Sequence, residues 1–269
     1  MRRILLLSIV FVFGLLGFFA FGKDVPKMAA AVDETDAILK KAFAKSMFGT
    51  SQGTATINML ITSSEGHKKE RVLLFKALSE KENLLQYLIK FLKPADLKGT
   101  AFLVKERKGQ LPDQYVYVPA AKTVRRIAAG NATSSFFGSD FIYADLLPYP
   151  SDKKDDVSVK KLPDQQLGGQ SVYVIEVTPK MAESPYGKLL LYIEKAQSIA
   201  AKIDFFDKAG QPLKVLKVRK LKKIEGNFVP VDIEMKNLQT KSSTIITVDN
   251  IDPKAKLSPN DFTEAAMQR

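Results

Sequence analysis

Residues 53–75, GTATINMLITSSEGHKKERVLLF, contain the pattern that decides the fold. Apolar residues occupy every second position from Ala55 to Ile61, and they alternate with Thr54, Thr56, Asn58 and Thr62 except at Leu60. This alternation has the period of a β-strand with one buried and one wet face. SSEG then supplies a turn, and apolar residues resume at 72–75. The stretch is therefore predicted to be an antiparallel hairpin.

Strand-like segments continue from this hairpin towards the C-terminus. Turn sequences such as KGQLPD, LGGQ, DKAGQP and EGN separate most of them. The segments are 84–92, 100–106, 114–119, 122–127, 171–178, 188–194, 200–207, 213–224, 230–238 and 244–251. About 11 or 12 antiparallel strands in one run predict a single, mainly β domain, built as a strongly curved sheet or a barrel.

A helix is predicted before the strands. Residues 33–48, DETDAILKKAFAKSMF, begin with a candidate N-cap and carry apolar side chains at helical spacing.

Strands such as KLLLYIE at 188–194 are apolar on both faces, whereas a strand with one wet face alternates. Both faces of part of the sheet are therefore covered or enclose a cavity. The helix and a segment near residue 140 are the candidate covers.

The N-terminus has the pattern of an export signal. Two arginines precede an apolar run over residues 4–21, which ends at the small-residue site 20–22. This pattern predicts a signal peptide over residues 1–22 and an exported domain over residues 23–269. The apolar run is close to the length of a membrane-spanning helix, so an uncleaved N-terminal anchor is the alternative. The chain has no cysteine for disulfides or for lipid attachment.

The chain carries a formal net charge of +12. A positive balance favours anionic partners. For an exported protein these are lipid head groups, an envelope glycolipid or an acidic protein surface, and not nucleic acid. The densest basic run, LKVLKVRKLKKI at 213–224, is predicted to be an edge or rim strand, because lysines block edge pairing. Its lysines either contact an anionic surface or are simply solvated.

Residues for catalysis and metal binding are scarce. The single histidine, His67, lies in the predicted turn, and no motif offers a base to Ser139. The acidic run 152–156 lacks the ligand spacing of a calcium loop, and no phosphate-binding glycine motif opens a helix. Paired carboxylates stay open, because their separation is a three-dimensional quantity. We predict binding rather than catalysis, with no catalytic residue, metal or cofactor.

Residues 135–146, SFFGSDFIYADL, concentrate aromatic side chains. Ser139 or Asp140 is a candidate N-cap and Pro148 a stop, which predicts a short helix after an aromatic loop. The apolar cluster exceeds what one helix face can bury. It either fills one end of the barrel as core or forms a lid that contacts an apolar ligand such as an acyl chain. The predicted ligand-contacting residues are Phe136, Phe137, Phe141, Ile142, Tyr143 and Leu146.

An ion pair is predicted to hold this lid. Arg125 and Arg126 point to opposite faces of an extended segment, so one of them lies on the covered side. A buried guanidinium needs an anionic or carbonyl partner. The next acidic residues along the chain are Asp140 and Asp145, and we expect one or both of them to pair with the arginines.

Two runs in the middle of the chain also resemble a known family. YVYVPAAKTVRRI at 115–127, followed by SSFFGSDFIYADL at 134–146, is similar to the central signature of exported outer-membrane lipoprotein-sorting-like proteins. These are relatives of the periplasmic lipoprotein carrier LolA and its outer-membrane acceptor LolB. The matching positions are Tyr117, Pro119, Ala120, Lys122, Val124, Arg125, Arg126, Ile127, Phe136, Gly138, Ser139, Asp140, Phe141, Tyr143, Asp145 and Leu146. The order of elements also agrees over essentially the whole mature chain.

The resemblance implies an unclosed antiparallel β-barrel of about 11 strands around an apolar cavity, with helices as a lid. It implies a periplasmic, non-enzymatic carrier for acyl chains of lipoproteins or phospholipids, and an envelope membrane protein for ligand handover. Because there is no cysteine for lipid attachment, a soluble carrier is favoured over a lipid-anchored acceptor. The alternative function is a cell-envelope adhesion or scaffold module that binds an acidic partner through the basic run at 214–223.

Overall fold

The structure is a computed structural model that describes residues 25–43, 50–79, 84–108, 110–128, 131–147, 157–180, 182 and 184–269. Side chains of the first range are described from Glu34 onwards. The predicted signal peptide and the acidic run 152–156 lie outside these residues. No helix within the described ranges has the length and apolar content needed to cross a membrane.

The described elements are two helices, 13 strands and short 3-10 turns. The helices are α1 (Val25–Phe43) and α2 (Glu264–Gln268). The strands are β1 (Gln52–Thr62), β2 (Lys68–Ser79), β3 (Leu85–Lys93), β4 (Ala101–Arg107), β5 (Gln110–Val118), β6 (Thr123–Arg126), β7 (Val157–Leu167), β8 (Gln170–Pro179), β9 (Lys188–Glu194), β10 (Ile199–Phe206), β11 (Pro212–Ile224), β12 (Asn227–Asn237) and β13 (Ser243–Asp252). Helix α1 begins earlier than predicted, and α2 was not among the predicted elements.

All 13 strands form one antiparallel sheet in the order β6-β5-β4-β3-β2-β1-β13-β12-β11-β10-β9-β8-β7. Most strands lie beside their neighbours in the chain. The exception is the pairing of β1 with β13, which joins the two halves of the chain into one sheet. Among the described strands β6 and β7 are the two edges, so the barrel is not closed. The prediction of a mainly β, unclosed barrel is confirmed, with 13 strands instead of about 11.

Strand β7 was missed because its sequence, VSVKKLPDQQL, is polar and contains Pro163. Proline cannot donate to a ladder and occurs in sheets at edges and bulges. Both conditions hold here, because β7 is an edge strand and its register with β8 shifts between Leu162 and Gln165. A proline in a polar run therefore does not exclude a strand at the edge of a sheet.

The prediction that residues 213–224 form an edge strand is wrong. Strand β11 pairs with β10 on one side and with β12 on the other. Its second half, from Val218 to Ile224, pairs with β12 alone and carries exposed basic side chains. The basic composition of β11 is explained by this solvated half. Whether a strand lies at the edge of a sheet depends instead on which strands pair with it.

The inner face of the sheet is defined here as the face on which residues 131–147 pack. Its buried residues come from β1–β4, β10, β12 and β13, and they form the main core together with Phe136 and Phe141. Helix α1 covers the β8–β9 region through Leu39. Leu189 and Ile203 contact both clusters, so α1 and residues 131–147 share this face. The predicted covering of the sheet by these two segments is confirmed.

The outer face is covered near β3 and β4 by the C-terminal segment. Phe262 and Met267 are fully buried there against Leu88 and Leu103. Strand β3 is therefore covered on both faces, since its alternate residues Tyr87 and Phe91 lie in the inner core. This explains why its sequence carries apolar residues on both faces.

Candidate lid and the buried polar contacts beneath it

Residues 131–147, called the lid segment from here on, fold as a self-contained loop on the inner face. Ser135 and Ile142 form an isolated antiparallel bridge, and the Phe136 N–H donates to the Phe141 carbonyl at 2.7 Å. Gly138 (φ 79°) closes the turn between them, in a region that favours glycine. The backbone-to-backbone hydrogen bonds described for this segment join it to itself or to Ala128, and none joins it to a strand.

The predicted short helix is a single 3-10 turn, Tyr143–Leu146. Its N-cap position is Ile142, so the expectation that Ser139 or Asp140 caps the helix is wrong. The Ser139 hydroxyl instead donates to the Phe136 carbonyl at 2.7 Å, which stabilises the tight turn before the helix. Ser139 therefore has a structural contact in the loop, and its Oγ is buried in that contact.

Aromatic rings attach the lid segment to the sheet. Phe136 is 1% exposed, and its ring centroid lies 5.5 Å from that of Phe102 and 6.1 Å from that of Phe91. Phe137 lies 4.5 Å from Phe91, and Tyr143 lies 5.4 Å from Phe102. Tilted and edge-to-face pairs at these distances stabilise beyond simple burial. The lid segment thus fills the inner face beside β3 and β4.

The structure brings together all six residues that were predicted to contact a ligand. Phe136 and Phe141 are buried in the main core, and Phe137, Ile142, Tyr143 and Leu146 pack against it. Two small pockets, of about 190 and 270 Å³, lie on the outer face, beside Val215 and Leu74 respectively. The role of the six residues as ligand contacts stays a prediction, because their side chains contact one another and the sheet.

Asp145 of the lid segment forms a buried ion pair with Lys214 of β11. The Lys214 Nζ lies 2.5 Å from the Asp145 Oδ2, and the two side chains are 3% and 5% exposed. The Tyr186 hydroxyl donates to the other carboxylate oxygen at 2.5 Å, and the Ile142 N–H donates to Oδ2 at 2.9 Å. Every oxygen of this buried carboxylate therefore has a donor, as burial of a charge requires. We call Asp145, Lys214 and Tyr186 the latch.

The sheet half of the latch is surrounded by aromatic rings. The Lys214 ammonium lies 5.1 Å from the ring centroids of Tyr186 and Phe205, within the range of cation–π attraction. Burial, together with the nearby Asp145 charge, raises the pKa of Tyr186 far above its ordinary value. The phenol therefore keeps its proton and acts as a hydrogen-bond donor at every physiological pH.

Two further contacts hold the lid segment at other points. The Asp140 carboxylate accepts from the Thr244 hydroxyl at 2.7 Å and from the Ser242 hydroxyl, both at the start of β13. The Tyr87 hydroxyl of β3 donates to the Leu146 carbonyl. Burial raises the pKa of Tyr87 as well, so this hydroxyl also stays protonated. The lid segment is thus attached to β3, β11 and β13 by side chains.

The predicted pairing of Arg125 and Arg126 with Asp140 and Asp145 is not formed. Arg126 pairs instead with Asp113 of the neighbouring strand β5, which also forms an ion pair with Arg107. Both predicted arginines are exposed, because β6 is an edge strand and neither of its faces is covered at these positions. Of the two predicted carboxylates, Asp145 pairs with a different cation, Lys214, and Asp140 accepts from hydroxyl groups instead.

Lys214 was missed as the partner of Asp145, because 69 residues separate the two in the chain. A local signal did exist. In the alternation of β11, Lys214 falls on the same side as Leu216, which packs against the inner core. A lysine in phase with core residues is a candidate for a buried charge that needs a partner.

The described residues offer little for metal or nucleophilic chemistry. They contain no group of three or more His, Asp or Glu side chains placed to hold a metal ion. His67 lies exposed in the β1–β2 turn, where its imidazole pairs with Glu65. What the arrangement offers is an apolar face, a separate aromatic cover and a buried cation facing that cover.

Comparison with known proteins agrees with this architecture. A family model described as "uncharacterized protein" matches residues 84–269. No curated protein sequence matches the chain. A solved structure described as an outer membrane lipoprotein-sorting protein domain, from Vibrio parahaemolyticus, is 26% identical, with a TM-score of 0.80 over 90% of this chain and 99% of that one.

Two further solved structures share the fold. A DUF1329 family protein from Desulfovibrio piger is 24% identical, with a TM-score of 0.80 over 88% of this chain and 99% of that one. A LolA superfamily protein from Nitrosomonas europaea is 18% identical, with a TM-score of 0.67 over 86% and 97%. The family match over residues 84–269 shows that the chain belongs to the family of that model, and the solved structures show that it has a LolA-like fold.

Proposed function

We propose that the protein is a periplasmic, non-enzymatic carrier that binds the acyl chain of a lipid or lipoprotein on its inner face. In this proposal the lid segment moves aside to admit the chain, and a membrane protein of the envelope receives the ligand. The observation that carries the proposal is the way in which the lid segment is attached to the inner face. An aromatic loop lies on an apolar sheet, and each hydrogen bond described between the loop and a strand involves a side chain on at least one side.

The energetics support exchange between lid and ligand. Opening the lid segment uncovers the apolar inner face around Phe91 and Phe102, which is unfavourable in water. An acyl chain that takes its place recovers about 0.8 kcal/mol for each buried methylene, or roughly 10 kcal/mol for a dozen. An acyl chain can therefore offset the cost of uncovering this face. A carrier needs such a balance, because it must both load and release its ligand.

The relatives support the same class of ligand. One is described as a lipoprotein-sorting protein domain and another as a LolA superfamily protein. The predicted export signal agrees with a role between the two membranes. Under this proposal no reaction is catalysed, and the specific binding comes from the shape and polarity of the uncovered face.

A covalent link between lid and sheet tests the proposal directly, because the native chain has no cysteine. Asp140 and Ser242 are in direct side-chain contact and are both partly buried. Oxidation of the Asp140→Cys/Ser242→Cys variant is expected to lower uptake of a fluorescent acyl probe about tenfold or more, because the open state is no longer populated. Reduction should restore uptake. Mass spectrometry verifies the link.

The matched control is a link that does not involve the lid segment. The Ser258 hydroxyl donates to the Asp261 carboxylate at 3.1 Å on the outer face, so the Ser258→Cys/Asp261→Cys variant carries a link between the same two residue types there. Its oxidation should leave uptake unchanged. If the linked Asp140→Cys/Ser242→Cys protein takes up the probe as well as its reduced form, the lid segment is not the gate.

A second candidate function is docking on an acidic partner through the β11–β12 ribbon. From Leu221 onwards these strands pair only with each other, and β11 exposes Arg219, Lys220, Lys222 and Lys223 towards this end. The ring of Phe228 is also exposed, with the Lys223 ammonium 6.0 Å from its centroid. Basic side chains beside an exposed ring suit an anionic lipid surface.

Charge reversal in this ribbon separates docking from uptake. The Lys222→Glu/Lys223→Glu variant is expected to bind phosphatidylglycerol vesicles about tenfold more weakly or worse, since each basic residue near such a surface contributes about 1 kcal/mol. Vesicle co-sedimentation measures this, and acyl uptake should not change. Lys68→Glu/Lys69→Glu, with the same charge change on exposed residues of β2, is the control. Equal losses in both variants would mean that only overall charge matters.

A further inference from the structure

The latch contains a ready-made binding site for one carboxylate. Two donors, the Lys214 Nζ and the Tyr186 hydroxyl, approach different oxygens of Asp145, each at 2.5 Å. Both donors belong to the sheet side, in β11 and in the segment before β9, whereas the carboxylate belongs to the lid segment. A lid that moves would therefore carry the anion away and leave both donors behind.

The cost of that separation falls mainly on Lys214. Its side chain is 3% exposed and lies between the rings of Tyr186 and Phe205. An ammonium that loses its partner in such surroundings is strongly unfavourable, more so than the loss of an exposed ion pair. An incoming ligand that supplies an anion at this position removes the cost, and a neutral ligand does not.

We propose that Lys214 and Tyr186 bind the anionic head group of the acyl ligand, and that Asp145 is the internal group that occupies this site when the lid is closed. This inference rests on the proposed carrier function and narrows its ligand class. The ligand is an amphiphile with one terminal carboxylate or phosphate group. A chain end that carries no negative charge leaves Lys214 without a counter-ion.

The position of the latch suits such a ligand. Tyr186 and Phe205 belong to the same buried cluster as Phe91, Phe102 and Phe136. The apolar surface that the lid rings cover is therefore continuous with the two donors. A head group held by Lys214 and Tyr186 can extend its chain along this surface without crossing a polar region.

Three ligands with the same chain test the inference on the native protein. Hexadecanoate, hexadecyl phosphate and hexadecanol, each below its aggregation concentration, compete with an uncharged fluorescent acyl probe. We expect at least one of the two anions to bind about tenfold or more tightly than hexadecanol, because it replaces a charge-assisted hydrogen-bonded partner. The order of the two anions then tells whether the site prefers a carboxylate or a phosphate.

A variant without the charges locates the effect. Lys214→Met/Asp145→Leu removes both members of the buried pair, so hexadecanol should still bind and the preference for anions should disappear. The control is Lys202→Met/Asp204→Leu, which removes a Lys–Asp pair that also lies beside a tyrosine ring but faces outward. That control should keep the preference.

The outcomes separate the inference from the carrier function. Equal affinity of the native protein for all three ligands overturns the head-group site and leaves the carrier in place. Failure of all three ligands to displace the probe, or of the probe to bind, overturns the carrier as well. A preference for anions that survives in Lys214→Met/Asp145→Leu also overturns the assignment to Lys214. The comparison of ligands on the native protein decides the question even if a variant does not fold.

Discussion

Replacement of Lys214 by Met is expected to lower the free energy of unfolding by about 3–5 kcal/mol, because it leaves a buried carboxylate without its cation. The Asp145 side chain is 5% exposed and accepts from Lys214 at 2.5 Å. The Tyr186 hydroxyl and the Ile142 N–H remain as donors, but neither carries a charge. Urea denaturation followed by circular dichroism measures the change through a shift in midpoint at constant slope.

Two comparisons identify the cause of that loss. Lys214→Met/Asp145→Leu is expected to recover most of the stability, since an apolar pair of similar volume often replaces a buried ion pair at little cost. Glu34→Gln breaks the exposed pair with Lys161 and should change stability by about 1 kcal/mol or less. A double variant whose loss equals the sum of the losses in Lys214→Met and Asp145→Leu would show that the pair is not energetically coupled.

Most of the fold was predictable from the alternation of apolar and polar residues along the strands. The alternation from Ala55 to Ile61 predicted the buried face of β1, and these residues do lie in the inner core. The pairing of β1 with β13 has no such local pattern, because Asn58 and its partner Asp249 are 191 residues apart. Strand order is set by tertiary packing, which a short window of sequence does not contain.

The candidate site was predictable in its apolar part and not in its polar part. The density of rings from Phe136 to Tyr143 marked the lid segment, because so many apolar groups in one loop must be buried somewhere. Charge pairs depend on which strands lie opposite. Arg126 contacts Asp113 because the β5–β6 register places Tyr115 opposite Arg126, and sequence distance alone does not reveal this.

Because rings and side chains attach the lid segment, shortening one buried lid side chain is expected to have an unusual effect on ligand affinity. Phe136→Ala removes a ring that is 1% exposed and contacts Phe91 and Phe102, so it should destabilise the closed state by about 3–5 kcal/mol. If the lid opens as a unit, this loss raises the population of the open state. Because apparent affinity scales with that population, the variant should bind an acyl probe more tightly.

The magnitudes favour this outcome over a simple loss of binding. A ring contact between Phe136 and the ligand is worth about 1 kcal/mol, which is smaller than the cost of opening that the truncation removes. The net expectation is an affinity about thirtyfold to several hundredfold higher, by probe titration. Phe262→Ala is the control, because Phe262 is 0% exposed on the outer face and its loss should cost similar stability without changing affinity. Equal destabilisation with no change of affinity in either variant would make the lid segment part of a static core.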